Sequence, residues 1–165
     1  MEASSRKRLS LDTNVLFDLA DRKDFACDFR EAYQRKGYAL VIPPTVVAEL
    51  YFLRTHGGAE EKRLASLSLS KIGTWDIQVF PLTGVQLDVA RHFALALSGH
   101  GLVPSSEIND AFILAETAVA EIPVIVSSDK HLLDIDRDAL RTVCLGKDLV
   151  PVFPANPRRL LRAIR

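Results

Sequence analysis

The sequence has few of the features that mark secreted, membrane or zinc-binding proteins. Its two cysteines, Cys27 and Cys144, are far apart and lack the close spacing of metal ligands, so we expect reduced, packed thiols. No apolar run approaches the ~20 residues that cross a bilayer. The polar, basic start lacks the apolar segment of a secretory signal, and the four histidines are scattered, without a zinc-like cluster. These absences predict a cytoplasmic protein that does not associate with membranes.

Net charge is also absent, because 21 basic side chains balance 21 acidic ones. This balance argues against a simple basic nucleic-acid-binding module. Basic residues are concentrated at Arg6 to Arg8 and at Arg158 to Arg165, so the stretch between them carries an excess of acids. An acidic middle suits a phosphate-binding protein only if some of those acids hold a divalent cation. The basic ends either contact an RNA backbone or are solvated termini.

Short β-branched runs alternate with longer helical patterns, without an internal repeat or a linker, which predicts one domain over residues 1–165. The alternation predicts an α/β fold in three layers, α/β/α, around a central, mostly parallel sheet of four or five strands. We predict strands at residues 8–11, 39–42, 77–82, 124–126 and 149–153. We predict helices at residues 13–20, 25–35, 43–56, 59–72, 84–97, 106–121, 130–135 and 157–164. Parallel sheets bind ligands at the carboxyl ends of their strands, which directs attention to the residues that follow them.

Asp12 and Asp129 each come between the end of a predicted strand and the start of a helix. The N-cap of a helix is an ordinary role for an aspartate, and it explains either residue alone. Two such residues at the carboxyl edge of one sheet would nevertheless bring two carboxylates close together.

Glu49 lies on an apolar face of its predicted helix, because Val46, Leu50 and Leu53 are one helical turn away on either side. A carboxylate in such a place is costly unless it is paired or bound to a metal. Either Glu49 faces a gap to solvent, or it pairs with an arginine, or it belongs to a site.

Asp110 lies in the first turn of a strongly apolar helix, where the helix dipole favours an acid. We expect Ser106 to cap this helix, with Asn109 reaching back in a weaker version of the capping box. Asp110 is needed for neither interaction, which leaves its carboxylate available for another role.

The four acids together are more informative than any one of them. Carboxylates gathered in one cleft repel one another and raise one another's pKa values. A hard divalent cation such as Mg²⁺ or Mn²⁺ would relieve the repulsion, because it prefers oxygen ligands. The sequence therefore predicts a metal site formed by Asp12, Glu49, Asp110 and Asp129.

At these residues the sequence resembles the PIN-domain nucleases, and in particular the VapC-type toxins of bacterial and archaeal toxin–antitoxin pairs. The resemblance extends from Leu9 to about Leu161. It rests on four segments in the same order: Asp12-Thr13-Asn14, Pro43-Pro44-Thr45-Val46-Val47-Ala48-Glu49-Leu50, Asn109-Asp110-Ala111-Phe112-Ile113-Leu114-Ala115 and Ser127-Ser128-Asp129. The segment before the first strand and the helical stretch from Gly57 to Thr74 are longer than is usual in the family.

The resemblance implies a PIN-like fold and a Mg²⁺- or Mn²⁺-dependent ribonuclease that hydrolyses RNA phosphodiester bonds. It implies that Asp12, Asp110 and Asp129 are catalytic metal ligands, and that Glu49 is a further ligand or orients the attacking water. Asn14 and Ser127 are expected to hold carboxylates in place by hydrogen bonds. The implied partners are the RNA substrate, a cognate antitoxin protein and a second copy of the chain in a homodimer.

Two other functions fit parts of the pattern. Loss of one or more of the acids would favour a PIN-fold module that binds RNA or a protein without cutting, and none is lost here. A phosphatase with an aspartate nucleophile would have a second aspartate two residues after the first, where this chain has Asn14.

Overall fold

A computed structural model describes residues 6–164, in which five strands form one entirely parallel sheet. The strand order is β3-β2-β1-β4-β5. The strands are β1 (Arg8–Leu11), β2 (Ala39–Ile42), β3 (Ile77–Val79), β4 (Val124–Val126) and β5 (Phe153–Ala155). The helices are α1 (Thr13–Ala20), α2 (Asp24–Arg35), α3 (Pro44–His56), α4 (Ala59–Lys71), α5 (Gly84–Gly99), α6 (Ile108–Val119), α7 (Lys130–Leu133), α8 (Arg137–Gly146) and α9 (Pro157–Ala163). This architecture confirms the predicted three-layer α/β/α fold.

The central strands are buried because helices cover both faces of the sheet. In β1 and β4, Leu11, Ile125 and Val126 are fully buried. Ser10 of β1 and Thr117 of α6 form a buried hydrogen bond between their hydroxyl groups (2.9 Å). This bond joins α6 to the middle of the sheet and so fixes the helix that carries Asp110.

The carboxyl edge of the sheet gathers the starts of several helices. Helices α1, α3 and α7 each begin just after β1, β2 and β4, which are neighbours in the sheet. One residue past the end of β1, the backbone amide of Asp12 donates to the carbonyl of Val126, the last residue of β4 (2.9 Å). The residues that follow these strands therefore share one edge of the molecule.

Several predicted boundaries were wrong. The third strand ends at Val79 rather than at residue 82. Helix α6 begins at Ile108, after a 3₁₀ turn over Ser105–Glu107, so Ser106 does not cap it. Glu107 occupies the N-cap position and its side chain makes no capping hydrogen bond. The reason is that the backbone already turns before Ile108, which places Ser106 inside that turn, one residue before the N-cap position.

The segment after Asp129 contains the other differences. Helix α8 (Arg137–Gly146) was not predicted, and the last strand is Phe153–Ala155 instead of 149–153. Within residues 6–164, no helix is both long and apolar enough to cross a membrane. Arg165, one of the arginines of the basic end, lies outside the described residues.

Candidate active site

Asp12 and Asp129 lie at the carboxyl ends of two paired strands and cap the helices that follow. One oxygen of Asp12, Oδ1, accepts a hydrogen bond from the backbone amide of Thr13 (2.7 Å). Asp129 Oδ1 accepts one from the backbone amide of His131 (2.8 Å). Asp12 is only 3% exposed, whereas Asp129 is partly exposed. Both aspartates thus act as N-caps, and each keeps a second carboxylate oxygen for other contacts.

The second oxygen of Asp12 is held by the two residues that the sequence analysis expected to act in this way. Oδ2 accepts hydrogen bonds from Ser127 Oγ (2.8 Å) and from Asn14 Nδ2 (3.0 Å). Ser127 Oγ also accepts from the backbone amide of Asp129 (2.9 Å). Asn14 Oδ1 accepts from the backbone amide of Ser128 (2.8 Å). Ser127 and Asn14 therefore tie Asp12 to the loop that carries Asp129.

Glu49 approaches the same place from α3. Val46 and Leu50 beside it are fully buried, as the apolar pattern predicted, and Glu49 itself is half-buried. Its Oε2 accepts a hydrogen bond from the hydroxyl of Thr13, the residue that follows Asp12. Among residues 6–164, Glu49 forms no ion pair with an arginine or lysine. Burial raises the pKa of Glu49, the bond from Thr13 opposes the rise, and nearby Glu107 and Glu61 add to it.

Asp110 lies in the first turn of α6 and is half-buried. Burial raises its pKa to about 7, and repulsion by other acids adds to the effect of burial. Those acids are Asp12, Asp129, Glu107 and Glu49. Asp110 therefore lies within electrostatic range of the other three acids singled out from the sequence.

The pKa of Asp12 is also raised by burial and by nearby acids, but hydrogen bonds offset part of the rise. Burial raises its pKa to about 6, hydrogen bonds from Ser127 and Thr13 lower it, and repulsion by Glu49 and Asp129 raises it. Its carboxylate keeps a lower pKa than that of Asp110, and the hydrogen bonds that favour its charged form act in that direction.

The donor set fits a hard cation, because every acid in the group offers carboxylate oxygens. As the side chains are placed, no three histidine, cysteine, aspartate or glutamate side chains within residues 6–164 are arranged to hold a metal ion. The residues and their charges are therefore gathered, but the structure shows no closed coordination shell.

Glu107 is an acid of this cluster that the sequence analysis missed. It precedes Asp110 by three residues, and its charge raises the pKa of both Asp110 and Glu49. The spacing i, i+3 is the signal that could have found it, because residues so spaced share a helix face. Glu107 is exposed, at the rim of the cluster rather than inside it.

The basic ends of the chain lie in different places relative to the acids. Residues 6–8 lie at the start of β1, at the opposite end of that strand from Asp12, where Arg8 donates to the carbonyl of Ala120 (2.6 Å). Arg158 instead lines a cavity of about 340 Å³ together with Lys23 and Ser128, next to Asp129 in the chain. Of the described residues of the two basic ends, Arg158 therefore shares a cavity with Ser128, the residue before Asp129.

Comparison with known proteins agrees with this architecture. The family model for the PIN domain matches residues 9–138. A chain in the crystal structure of VapBC2 from Rickettsia felis, bound to a DNA fragment from their promoter, is 15% identical with a TM-score of 0.60, over 90% of this chain and 98% of that one. A chain in the structure of VapBC-1 from nontypeable Haemophilus influenzae is 13% identical with a TM-score of 0.55, over 91% and 98%. At these identities the likeness establishes the fold, and no curated protein matches the sequence significantly.

Proposed function

The chain belongs to the PIN domain family, and we propose that it is a metal-dependent endoribonuclease, the toxin of a toxin–antitoxin pair. One observation carries the proposal: Asp12, Glu49, Asp110 and Asp129 are crowded at one edge of the sheet, where burial and mutual repulsion raise the pKa of Asp110 to about 7. Such crowding opposes ionisation, and a bound cation would offset it.

The proposed ligands of Mg²⁺ or Mn²⁺ are Asp12, Asp110 and Asp129, with Glu49 as a further ligand or as the group that orients the attacking water. When bound, such a cation lowers the pKa of water and stabilises negative charge on the phosphate of the RNA.

Hydrogen bonds from neighbouring residues orient two of these carboxylates, those of Asp12 and Glu49. Hydrogen bonds from Ser127, Asn14 and the backbone of Thr13 fix both oxygens of Asp12 and favour its charged form. The hydroxyl of Thr13 fixes Glu49 in the same way. Because Thr13 contacts both acids, it links the carboxylate of Asp12, just before α1, to that of Glu49 on α3.

We propose that RNA is held beside the acids by cations, because the acid cluster itself repels phosphate. Lys23 and Arg158 line the cavity that includes Ser128, and Arg158 stacks over the ring of Phe25 (4.4 Å). Lys23 is also paired with the buried Asp18 (2.6 Å). We propose that Arg158, which shares this cavity with Ser128, meets a phosphate adjacent to the one that is cut.

The proposed protein partners are a cognate antitoxin and a second copy of the chain, in the cytoplasm. The two similar solved structures are of VapBC proteins, which supports the antitoxin. Helix α5 exposes apolar side chains, including Val85 (74% exposed) and Leu95 (56%), which supports a further protein contact. Size-exclusion chromatography with light scattering, alone and after co-expression with the product of a neighbouring gene, tests both.

Asp12→Asn tests the catalytic proposal. Asparagine also caps helices, so α1 should persist while a charged ligand is lost. We expect cleavage of a fluorescent single-stranded RNA in Mn²⁺ to fall at least a hundredfold, and EDTA to abolish it in the wild type. Asp138→Asn, at an exposed first-turn position of α8, is the matched control and should keep full activity. A wild type that binds the RNA without cutting it would instead support the non-catalytic binding module.

A further inference from the structure

Glu116 is a buried carboxylate of α6 that the proposed active site does not use. It is 3% exposed, on the same helix as Asp110 and six residues after it. Its two oxygens both contact one residue of α3: Oε2 accepts from the backbone amide of Thr45 (3.0 Å) and Oε1 from the hydroxyl of Thr45 (2.6 Å). A buried carboxylate is costly unless its oxygens are satisfied, and here Thr45 satisfies both.

Helix α3 has a specific need for this contact. Its N-cap residue is Pro43, which offers no side-chain hydrogen bond, and its first helical residue is Pro44, which has no amide hydrogen. The amide of Thr45 belongs to the first turn and has no partner within its own helix. Glu116 therefore caps α3 from another helix, and its negative charge lies at the positive end of the helix dipole.

This contact joins the two helices that supply acids from outside the strand ends. Thr45 and Glu49 are four residues apart and therefore on the same face of α3. Asp110 and Glu116 are both on α6, about 9 Å apart along its axis at 1.5 Å per residue. Packing of Val46 and Leu50 buries α3, but apolar contacts alone tolerate a small rotation or slide of the helix. The paired hydrogen bonds of Glu116 are directional and restrict both motions.

We propose that Glu116 is a positioning residue. Its two hydrogen bonds to Thr45 hold the first turn of α3 against α6 and so set the spacing between Glu49 and Asp110. The inference rests on the proposed function, because the spacing matters only if these acids act together. It adds a residue that contacts neither metal nor RNA and acts through the two helices.

Mn²⁺ affinity, measured by electron paramagnetic resonance of free Mn²⁺ without RNA, separates a positioning role from a merely stabilising one. We expect Glu116→Ala to weaken Mn²⁺ binding at least tenfold at a temperature where the variant is fully folded. The Mn²⁺ affinity of Glu116→Gln should stay within threefold of the wild-type value. The glutamine side chain can still accept a hydrogen bond from the backbone amide of Thr45 and donate one to its hydroxyl. Leu140→Ala on α8 removes a buried side chain from an element that contributes none of the acids, and should lower the melting temperature without changing Mn²⁺ affinity.

Cleavage kinetics of Glu116→Ala should show a lower kcat and a higher Mn²⁺ concentration for half-maximal activity, with KM for RNA unchanged. Wild-type Mn²⁺ affinity and kcat in folded Glu116→Ala would overturn the inference. If Glu116→Ala does not fold, Thr45→Val replaces it in the test. A Mn²⁺ affinity at least threefold weaker than that of the wild type supports the inference, and an unchanged Mn²⁺ affinity overturns it. Wild-type protein that binds Mn²⁺ without cutting RNA would contradict the proposed function alone. Wild-type protein that binds no Mn²⁺ would contradict both the proposed function and the inference about Glu116.

Discussion

The side chain of Asp110 is the clearest case of how crowding changes a single residue. Burial, followed by repulsion from the neighbouring acids, raises its pKa to about 7. In the unfolded chain an aspartate titrates near its ordinary value of about 4. The metal-free folded protein therefore holds more protons than the unfolded chain between these two values, so its stability falls as the pH rises from about 4 to 7.

Asp110→Asn should remove this pH-dependent penalty. We expect the metal-free variant to be more stable than the metal-free wild type at pH 8, by about 1–2 kcal/mol once solvent screening of a half-buried group is allowed for. The difference should vanish by about pH 3, where the wild-type carboxyl is protonated in both the folded and the unfolded state. Urea unfolding in EDTA at the two pH values measures both differences.

Asp138→Asn is the control for this substitution, because Asp138 occupies the first turn of α8 and is exposed. Its removal should cost a few tenths of a kcal/mol at pH 8 through the helix dipole. Equal effects of the two substitutions would contradict the crowding of Asp110.

The position of a candidate-site residue was predictable from the sequence where the local pattern was unusual. Glu49 stood out because buried apolar residues flank it at helical spacing, and the structure places it against Thr13. Glu107 did not stand out, because an exposed acid before a helix is common and its importance depends on elements far away in the sequence. The bridge made by Ser127 between Asp12 and Asp129 depends on the register of β1 against β4, which no local pattern specifies.

At the scale of secondary-structure elements, Asp18 links α1 to the loop between β4 and α7. It is 6% exposed and accepts hydrogen bonds from Ser128 Oγ (2.8 Å) and from Lys23 Nζ (2.6 Å). We expect Asp18→Asn to lower the free energy of unfolding by about 1–2 kcal/mol, because one charge-assisted partner is lost from a buried group. Chemical denaturation of the variant measures this loss.

Asp21→Asn provides the matched comparison near the same helix end. Asp21 is 44% exposed and pairs with Arg63, which is 47% exposed, so its loss should cost less than about 0.5 kcal/mol. A smaller loss for Asp18→Asn than for Asp21→Asn would show that the loop beside Asp129 is held by other contacts.

The elements that the sequence analysis misplaced have identifiable physical causes. Strand β5 contains Pro154 in its middle, and a proline predicts a break because it cannot donate to the ladder. It is tolerated here because β5 is at the edge of the sheet and pairs only with β4. Helix α8 did have a signal, since Asp136 caps it and Leu140 and Cys144 are its buried residues, one turn apart. Residues 136–148 nevertheless have no predicted element, because the predictions pass from the helix at 130–135 directly to the strand at 149–153.

At the scale of the whole molecule, alternating strands and helices were enough to predict a layered, parallel α/β fold. The order of the strands was not predictable in this way, because β1 pairs with both β2 and β4 and the second pairing joins distant parts of the chain. That central position of β1 is what brings Asp12 next to the loop of Asp129. The site is therefore a property of the complete sheet rather than of any one segment.

Metal binding should consequently stabilise the entire fold. A cation that binds only the native state adds about 2–3 kcal/mol at a hundredfold excess over its Kd, which corresponds to roughly 4–12 °C in the melting temperature of a chain this long. We expect millimolar Mn²⁺ to raise the wild-type melting temperature in this range at pH 8, and EDTA to reverse the rise. Asp110→Asn should start from a higher metal-free melting temperature and gain less, because the same charge both repels its neighbours and binds the cation. The melting temperature of Asp138→Asn should rise as much with Mn²⁺ as that of the wild type. A wild-type melting curve indifferent to Mn²⁺ would mean that the crowded acids do not form a metal site, and the proposed nuclease mechanism would fail with it.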